Sequence, residues 1–498
     1  MKKTVNKGYS NKTPQNVDSR VLANSAGVLH RQRRTDKKAN VRDCHSKRIP
    51  IMRAICFCLT SLLLIGSSSL IADDSGSWPA FQGRGVTKLS AENLQLNWSK
   101  KNHISWRVKI PGYGQSSPVI FENRVYVTSV SGNRKETFHL TCFDLKTGKR
   151  IWKKDVAAAS RVKKTNYVSK AAPTPIVDAD GPIAFFESGN LVAFTHSGEI
   201  RWQKNLVKDY GPIVSKYGLG SSLARYDDSL ILSMECDKDP YLLSVERKTG
   251  KVKWKVPGLG AATWSTPVLL PVGHGTHLVL SGSGLVVGFD PASGKRLWSL
   301  EGLSGNSVPT PYIVGNGKLL LGASDRAGDG PAPKTKPQNS NGLVEISKTD
   351  KGSYRVRFLW RAKRATSSFG SPVVAKDHAY FVNRSGVLYC LDLAKGQQIY
   401  TKRIGESIWA TPLVAGDRIY FPGKKGTTTV VKTGPKFVKL AVNQIGGKAD
   451  VSFRKAIVKE ILQQRTTRPT TTFYAIAAVN RSLILRSESV LYCIRRGN

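Results

Sequence analysis

Acidic side chains are scarce in this chain of 498 residues: 34 Asp and Glu face 77 Lys and Arg, a formal charge of +43. A balance of that sign disfavours basic partners and favours acidic ones. Cysteine numbers only 7, too few for a disulfide-built scaffold. There is no adjacent Cys-Cys pair, Cys-x-x-Cys-His, Gly-x-Ser-x-Gly, Walker loop or His-Glu-x-x-His. These absences remove the sequence signatures of c-type haem attachment, an esterase elbow, a phosphate-cradling loop and a zincin helix. No apolar run reaches the 18 residues of a good membrane span. What is abundant is glycine, at 45, within a chain that is 40% hydrophobic. That composition excludes a disordered or collagen-like chain and suits strands joined by turns.

The first 50 residues carry 13 Lys and Arg, three Asp and no Glu, with almost no apolar periodicity. Residues 1–51 therefore read as a disordered basic extension, or as a start assigned too early, with Met52 the true one. Met52-Arg53 opens a different pattern. An apolar run over 54–65 follows a basic flank, then come serines, Ile71-Ala72 and acidic Asp73-Asp74. This is the layout of a secretory signal peptide over 52–72, cut near Ala72. Cys56 and Cys58 lie inside the apolar run without the small residues a lipid-attachment box needs. The expectation is an exported protein, in the periplasm or cell envelope. Four cysteines would remain: Cys142, Cys236, Cys390 and Cys493. Three of them occupy the same position of a repeat, so they read as small buried apolar residues rather than disulfide partners.

One phrase recurs: Ser/Thr-Pro, an apolar run, a turn, two further β-runs, a Thr-Gly-Lys step and a tryptophan. Its first copy reads Ser117-Pro118-Val119-Ile120, Arg124-Val125-Tyr126-Val127, Asp144-Leu145-Lys146-Thr147-Gly148-Lys149 and Trp152. Later copies start at Thr174, Ser222, Thr266, Thr310, Ser371 and Thr411, and the copy at Ser222 lacks the proline. Trp152, Trp202, Trp254, Trp298 and Trp360 close their units, and Tyr400 stands in for the next. Four short alternating runs in about 40 residues describe a propeller blade. The Thr-Gly-Lys step supplies the tight turn, with Gly where φ is positive. Each Trp fills the space between neighbouring blades.

Seven units are complete. An eighth, Arg481-Ser482-Leu483-Ile484-Leu485 with Leu491-Tyr492-Cys493-Ile494, ends without its Trp strand. A lone strand of that character, Ile104-Ser105-Trp106-Arg107-Val108-Lys109-Ile110, stands at the other end. The expected fold is all-β, an eight-bladed propeller of four-stranded antiparallel blades within 73–498. The N-terminal strand would complete the last blade and remove the final sheet edge. Seven blades is the alternative. Two stretches break the period and read as insertions: a Gly/Pro-rich loop at 323–341 and a basic, Thr-rich stretch at 444–473, with a short basic helix conceivable at 455–464.

Asp144-Leu145-Lys146-Thr147-Gly148-Lys149…Trp152 and Asp290…Ser293-Gly294-Lys295…Trp298 resemble the tryptophan-docking repeat of pyrroloquinoline quinone (PQQ) enzymes and of BamB-type outer-membrane assembly proteins. Trp78-Pro79-Ala80-Phe81-Gln82-Gly83 and Pro111-Gly112-Tyr113-Gly114-Gln115-Ser116-Ser117-Pro118 resemble secreted PQQ-like propellers of the planctomycete type. The resemblance spans about 77–443 and the final blade. It implies the fold strongly and the function weakly, because one propeller hosts many activities.

Quinoprotein dehydrogenases of this resemblance hold PQQ over calcium, with an adjacent Cys-Cys pair, carboxylate and amide ligands and a catalytic Asp. This chain has no such pair and no acidic loop of calcium spacing. The Asp325-Arg326-Ala327-Gly328-Asp329-Gly330 stretch reads as a solvated loop. His274 and His277 share a stretch, but two ligands without a third read as a polar hairpin. No catalytic residue and no metal ligand is assigned, and no cofactor is expected. PQQ with calcium is the alternative.

The candidate site comes from topology. Residues just ahead of each innermost strand line the mouth of the axial channel. Three before the Pro, these are Gln115, Ala172, Gly220, Trp264, Val308, Phe369 and Trp409. Gln115, Trp264, Phe369 and Trp409 could hold a flat or sugar-like ligand, or the aromatics could plug the channel as core. Trp106, Trp152, Trp202, Trp254, Trp298 and Trp360 are the docking tryptophans. The leading expectation is a non-catalytic, monomeric scaffold or ligand binder of the envelope, with outer-membrane protein assembly one version. A PQQ-dependent dehydrogenase and a polyanion-binding envelope protein are the alternatives. Expected partners are envelope proteins or acidic envelope polymers. No aromatic-interleaved basic motif marks a nucleic-acid binder.

Overall fold

The computed structural model describes residues 76–84, 89–161, 168–260, 262–324, 337–445 and 472–495. The basic extension at 1–51, the signal peptide at 52–72, the 325–330 loop and the 455–464 helix lie outside the described residues. Every described residue belongs to one compact unit, Leu70–Asn498.

Eight four-stranded antiparallel blades follow one another around a ring. They span 119–157, 176–205, 224–257, 268–300, 312–361, 373–403 and 413–444. The eighth is built from 475–495 and completed by Ile104–Lys109. Burial explains the residue patterns. Central strands are sandwiched by blades on both faces, and Ser229–Met234 and Gly181–Phe186 are buried at every position. Outermost strands meet solvent on one side and alternate, as Val252–Pro257 does.

Closure is as the sequence required. Ile104–Lys109 pairs antiparallel with Val490–Arg495, Trp106 opposite Cys493. Beside that seam, fully buried Arg486 of blade eight reaches into blade one. It donates to the Ser116 carbonyl at 2.8 Å, the Thr128 carbonyl at 2.6 Å and the Ser116 hydroxyl. Burial pushes its guanidinium down to about 9.

The tryptophans dock in one direction. Each indole N–H donates to a backbone carbonyl in the next blade's third hairpin turn: Trp106 to Leu145, Trp152 to His196, Trp202 to Arg247, Trp254 to Pro291 and Trp360 to Leu393, at 2.8 to 3.1 Å. Beneath each ring lies that turn's glycine: Gly148, Gly198, Gly250, Gly294 or Gly396, with φ between 68° and 88°. Glycine is needed twice over, for the left-handed turn and because a Cβ would enter the indole.

Trp298 corrects the expected set. Its N–H donates to Nδ1 of His277 in its own blade at 2.9 Å, and its ring covers Gly288 of the neighbouring strand. Blade five offers no docking turn: Lys348 pairs directly with Tyr354, and Gly352 has nothing near it. Tyr354 instead meets His277 edge-on at 4.6 Å. His277 is thus a structural partner, and burial holds its pKa below the usual imidazole value. Blade seven carries Ala441 in its outer strand where a docking ring would stand. Trp98, from the stretch ahead of the first blade, packs in the same buried cluster as Ala441: it stacks on Tyr420 at 6.3 Å and its backbone N–H donates to the Asn443 side-chain oxygen, while its indole N–H meets no acceptor among the described residues and so does not dock as the others do.

Gln444 ends blade seven's outer strand, and buried Phe473 packs edge-on against Tyr492, so the second insertion is narrower than 444–473. Of the first insertion, 323–324 and 337–341 are described, and Asn341 accepts from the Ala323 N–H at 2.7 Å. Cys142, Cys236, Cys390 and Cys493 are buried and unpaired.

Candidate functional site at the channel mouth

The recurring Ser/Thr-Pro builds the rim. The backbone N–H of each Ser/Thr donates to the hydroxyl of its counterpart in the next blade. Ser117 donates to Thr174, Thr174 to Ser222, Ser222 to Thr266, Thr266 to Thr310, Thr310 to Ser371 and Ser371 to Thr411, at 2.9 to 3.1 Å. The recurrence of a hydroxyl at this step therefore has a cause: it joins neighbouring innermost strands where they come nearest the axis. Blade eight has Ala475 at the corresponding place, and there the chain of bonds stops.

Inside this rim lies a cavity of about 170 Å³ lined by all seven residues placed three before the proline step. Gln115 and Lys170 clasp each other, the Gln115 amide oxygen accepting from the Lys170 N–H at 3.0 Å. Phe369, 37% exposed, lies 4.9 Å from the Trp409 ring, and Tyr474 meets Trp409 edge-on at 6.4 Å. The Lys424 ammonium sits 3.9 Å above Trp409, a cation–π contact that leaves one charge at the rim. Trp264 stands apart from this cluster. Its N–H donates to the Gly218 carbonyl at 2.9 Å and its ring covers Gly220. Blade three has glycine in the ring of seven because the Trp264 ring fills that space.

Sequence reasoning missed the opposite wall. Ser77–Trp78 adds as a short strand inside Val119–Phe121, and Val177 donates to the Pro79 carbonyl at 2.9 Å. Trp78, Phe81 and Gln82 thereby enter the channel and line the cavity. Gln82 has φ of 55°, an uncommon conformation for a side-chain-bearing residue. Its amide N and the Trp78 indole N are buried without an acceptor among the described residues. A dense aromatic motif ahead of the first blade was the available signal. Tyr474 and Lys424 were hidden because blade eight lacks the Ser/Thr-Pro marker and Lys424 lies on a hairpin outside the repeat register.

The lining offers hydroxyls, amides, aromatic faces and backbone, and no carboxylate or thiol. Among the described residues no three His, Cys, Asp or Glu come together. A quinone held over calcium needs hard, charged oxygen ligands, and this donor set does not fit it.

A family profile described as outer membrane protein assembly factor BamB, a PQQ-type repeat family, matches residues 66–211, 227–328 and 345–435. The chain belongs to this family. The BamB of Moranella endobia is 23% identical over 321 residues, covering 61% of this chain and 68% of that one. The structure resembles BamB from Moraxella catarrhalis with a TM-score of 0.52 at 12% identity, covering 78% of this chain and 96% of that one. It also resembles the quinohemoprotein alcohol dehydrogenase ADHIIG from Pseudomonas putida HK5, with a TM-score of 0.55 at 10% identity, covering 85% and 80%. At these identities both structures speak for the shared propeller alone.

Proposed function

We propose that this BamB-family propeller is an exported, non-catalytic scaffold of the periplasm or cell envelope that holds a partner or ligand at its channel mouth. Outer-membrane protein assembly is the form of this work the family suggests. One observation carries the reading: the mouth brings Phe369, Trp409 and Tyr474 together, with Trp264 elsewhere on the same wall, among hydroxyl and amide groups and without a carboxylate, imidazole or thiol in the lining. Such a wall suits recognition through aromatic faces and neutral hydrogen bonds. The buried donors of Trp78 and Gln82 favour a ligand group rich in acceptor oxygens, such as a polyol or a peptide carbonyl.

A photo-crosslinking residue placed at Phe369 tests this in envelope extract, against one at exposed Ile151 on the outer rim. Discrete adducts from position 369 alone, lost in Trp409→Ala, support the reading. Equal labelling from both positions removes the mouth as a site. Dye reduction on adding PQQ and calcium to the purified protein would replace the scaffold with the dehydrogenase.

A further inference from the structure

The face opposite the mouth carries the hairpins that join the third and fourth strands of each blade. Six of them present an exposed lysine: Lys149, Lys251, Lys295, Lys351, Lys395 and Lys436, one each from blades one and three to seven. None of the six forms an ion pair among the described residues. In blades one, four and six the aspartate that opens the turn is engaged in closing it, whereas the blade-five turn is closed by Thr349 and Ser353 and leaves Asp350 exposed beside Lys351. Asp144 accepts from the Thr147 N–H, Asp290 from the Ala292 N–H and Asp392 from the Lys395 N–H, at 2.7 to 2.8 Å. In those three turns the chemistry draws the carboxylate into the hairpin and leaves the lysine outermost; the exposed carboxylates of this face include Asp350 and those of the first hairpins, such as Glu122 and Asp228, which pair with Arg124 and Lys253.

At the hub of this face lies a second cavity, of about 380 Å³, separated from the mouth by Phe81 and Gln82. Val177, Leu223, Pro267 and Leu269 line it, and it reaches the first hairpin turn of blade three at Asp227. Charge spread over most of a ring, with an apolar recess at its centre, matches an extended flat anion that also offers hydrocarbon. It does not match a linear acidic polymer, which would follow a single groove.

We propose that this hairpin face docks on an anionic phospholipid bilayer, leaving the aromatic mouth turned away from the lipid. The lysines supply attraction to the headgroups, at about fivefold in partitioning for each one brought to the surface.

Sedimentation of the full-length protein with phosphatidylglycerol–phosphatidylcholine vesicles tests the proposal, with phosphatidylcholine vesicles as reference. The variant carries Lys149→Glu, Lys251→Glu, Lys295→Glu and Lys395→Glu. A second variant makes the same charge change on the mouth side, with Lys208→Glu, Lys238→Glu, Lys363→Glu and Arg364→Glu. Matching circular dichroism and melting curves establish that both fold. The hairpin variant is expected to lose on the order of a hundredfold or more in binding to the anionic vesicles, and the mouth variant only a few-fold. Equal losses in both variants overturn the proposal, because the attraction would then follow net charge and not this face. Retention on heparin without binding to anionic vesicles also overturns it, in favour of a soluble polymer.

Discussion

The indole of Trp152 lies across Gly198 of the neighbouring blade, and its N–H ends on the His196 carbonyl at 2.8 Å. The ring and the turn are made by different repeats, yet neither has a complete environment without the other. Five such pairs recur around the ring, so stability is shared between neighbours rather than held within single blades.

Gly250 and Gly352 separate the two demands on a docking glycine. Both have left-handed backbone, φ 73° and 77°, but a Cβ at Gly250 would lie 2.7 Å from the Trp202 ring, whereas nothing stands near Gly352. Gly352→Ala is expected to cost about 1 kcal/mol for the backbone alone. Gly250→Ala adds overpacking against the indole, for a total of about 3 kcal/mol. Urea denaturation midpoints measure both, and equal losses would show that the indole contact is not made.

Arg486→Met leaves the Ser116 and Thr128 carbonyls without their buried donor. The expected loss is about 3 kcal/mol, concentrated where blade eight meets blade one. Thermal melting checks the size, and limited proteolysis checks the place, with new cleavage expected between residues 104 and 118.

Much of this architecture was legible because it is periodic. The Thr-Gly-Lys turn, the tryptophan and the unpaired Trp106 strand each state a local requirement that only a neighbouring blade satisfies. The ring of seven mouth positions followed from the same register. The exceptions escaped for physical reasons. Trp298 carries the right spacing, but its destination depends on the turn of blade five, which closes as a plain hairpin. Trp98 precedes the repeats, and nothing in its own surroundings says that it packs in the same cluster as Ala441. Trp78, Phe81 and Gln82 reach the cavity through a two-residue strand too short to show a period.

Glu235 is buried, and its carboxylate accepts from the N–H groups of Leu259 and Gly260. Burial outweighs those bonds and raises its pKa to about 7 from an ordinary value of 4.5. The folded protein therefore binds the proton more tightly than the unfolded chain. Its contribution is fully present below about pH 4.5, falls as pH rises, and is gone above about pH 7. The shift corresponds to about 3 kcal/mol. Glu235→Gln should remove this component, flattening the slope of stability between pH 4.5 and 7. Chemical denaturation at a series of pH values reads that slope, and an unchanged slope would assign it to other groups.

The four propeller thiols should be inert in the native state. Burial pushes Cys142 up to about 12, and Cys390 and Cys493 up to about 11, and the thiolate is the reactive form. Iodoacetamide at pH 8 followed by peptide mapping should leave all four unlabelled until denaturant is added. Labelling of Cys493 in the native protein would mean that the seam with Trp106 opens.

That seam is where the closed ring is most exposed to test. Hydrogen exchange of the 104–109 amides, compared with those of 490–495, measures it directly. A ring closed by this strand requires equal, strong protection in both segments, and loss of protection at 104–109 when the chain is truncated after Glu488. Exchange of 104–109 at free-peptide rates while 490–495 stays protected would show a ring that does not close through this strand.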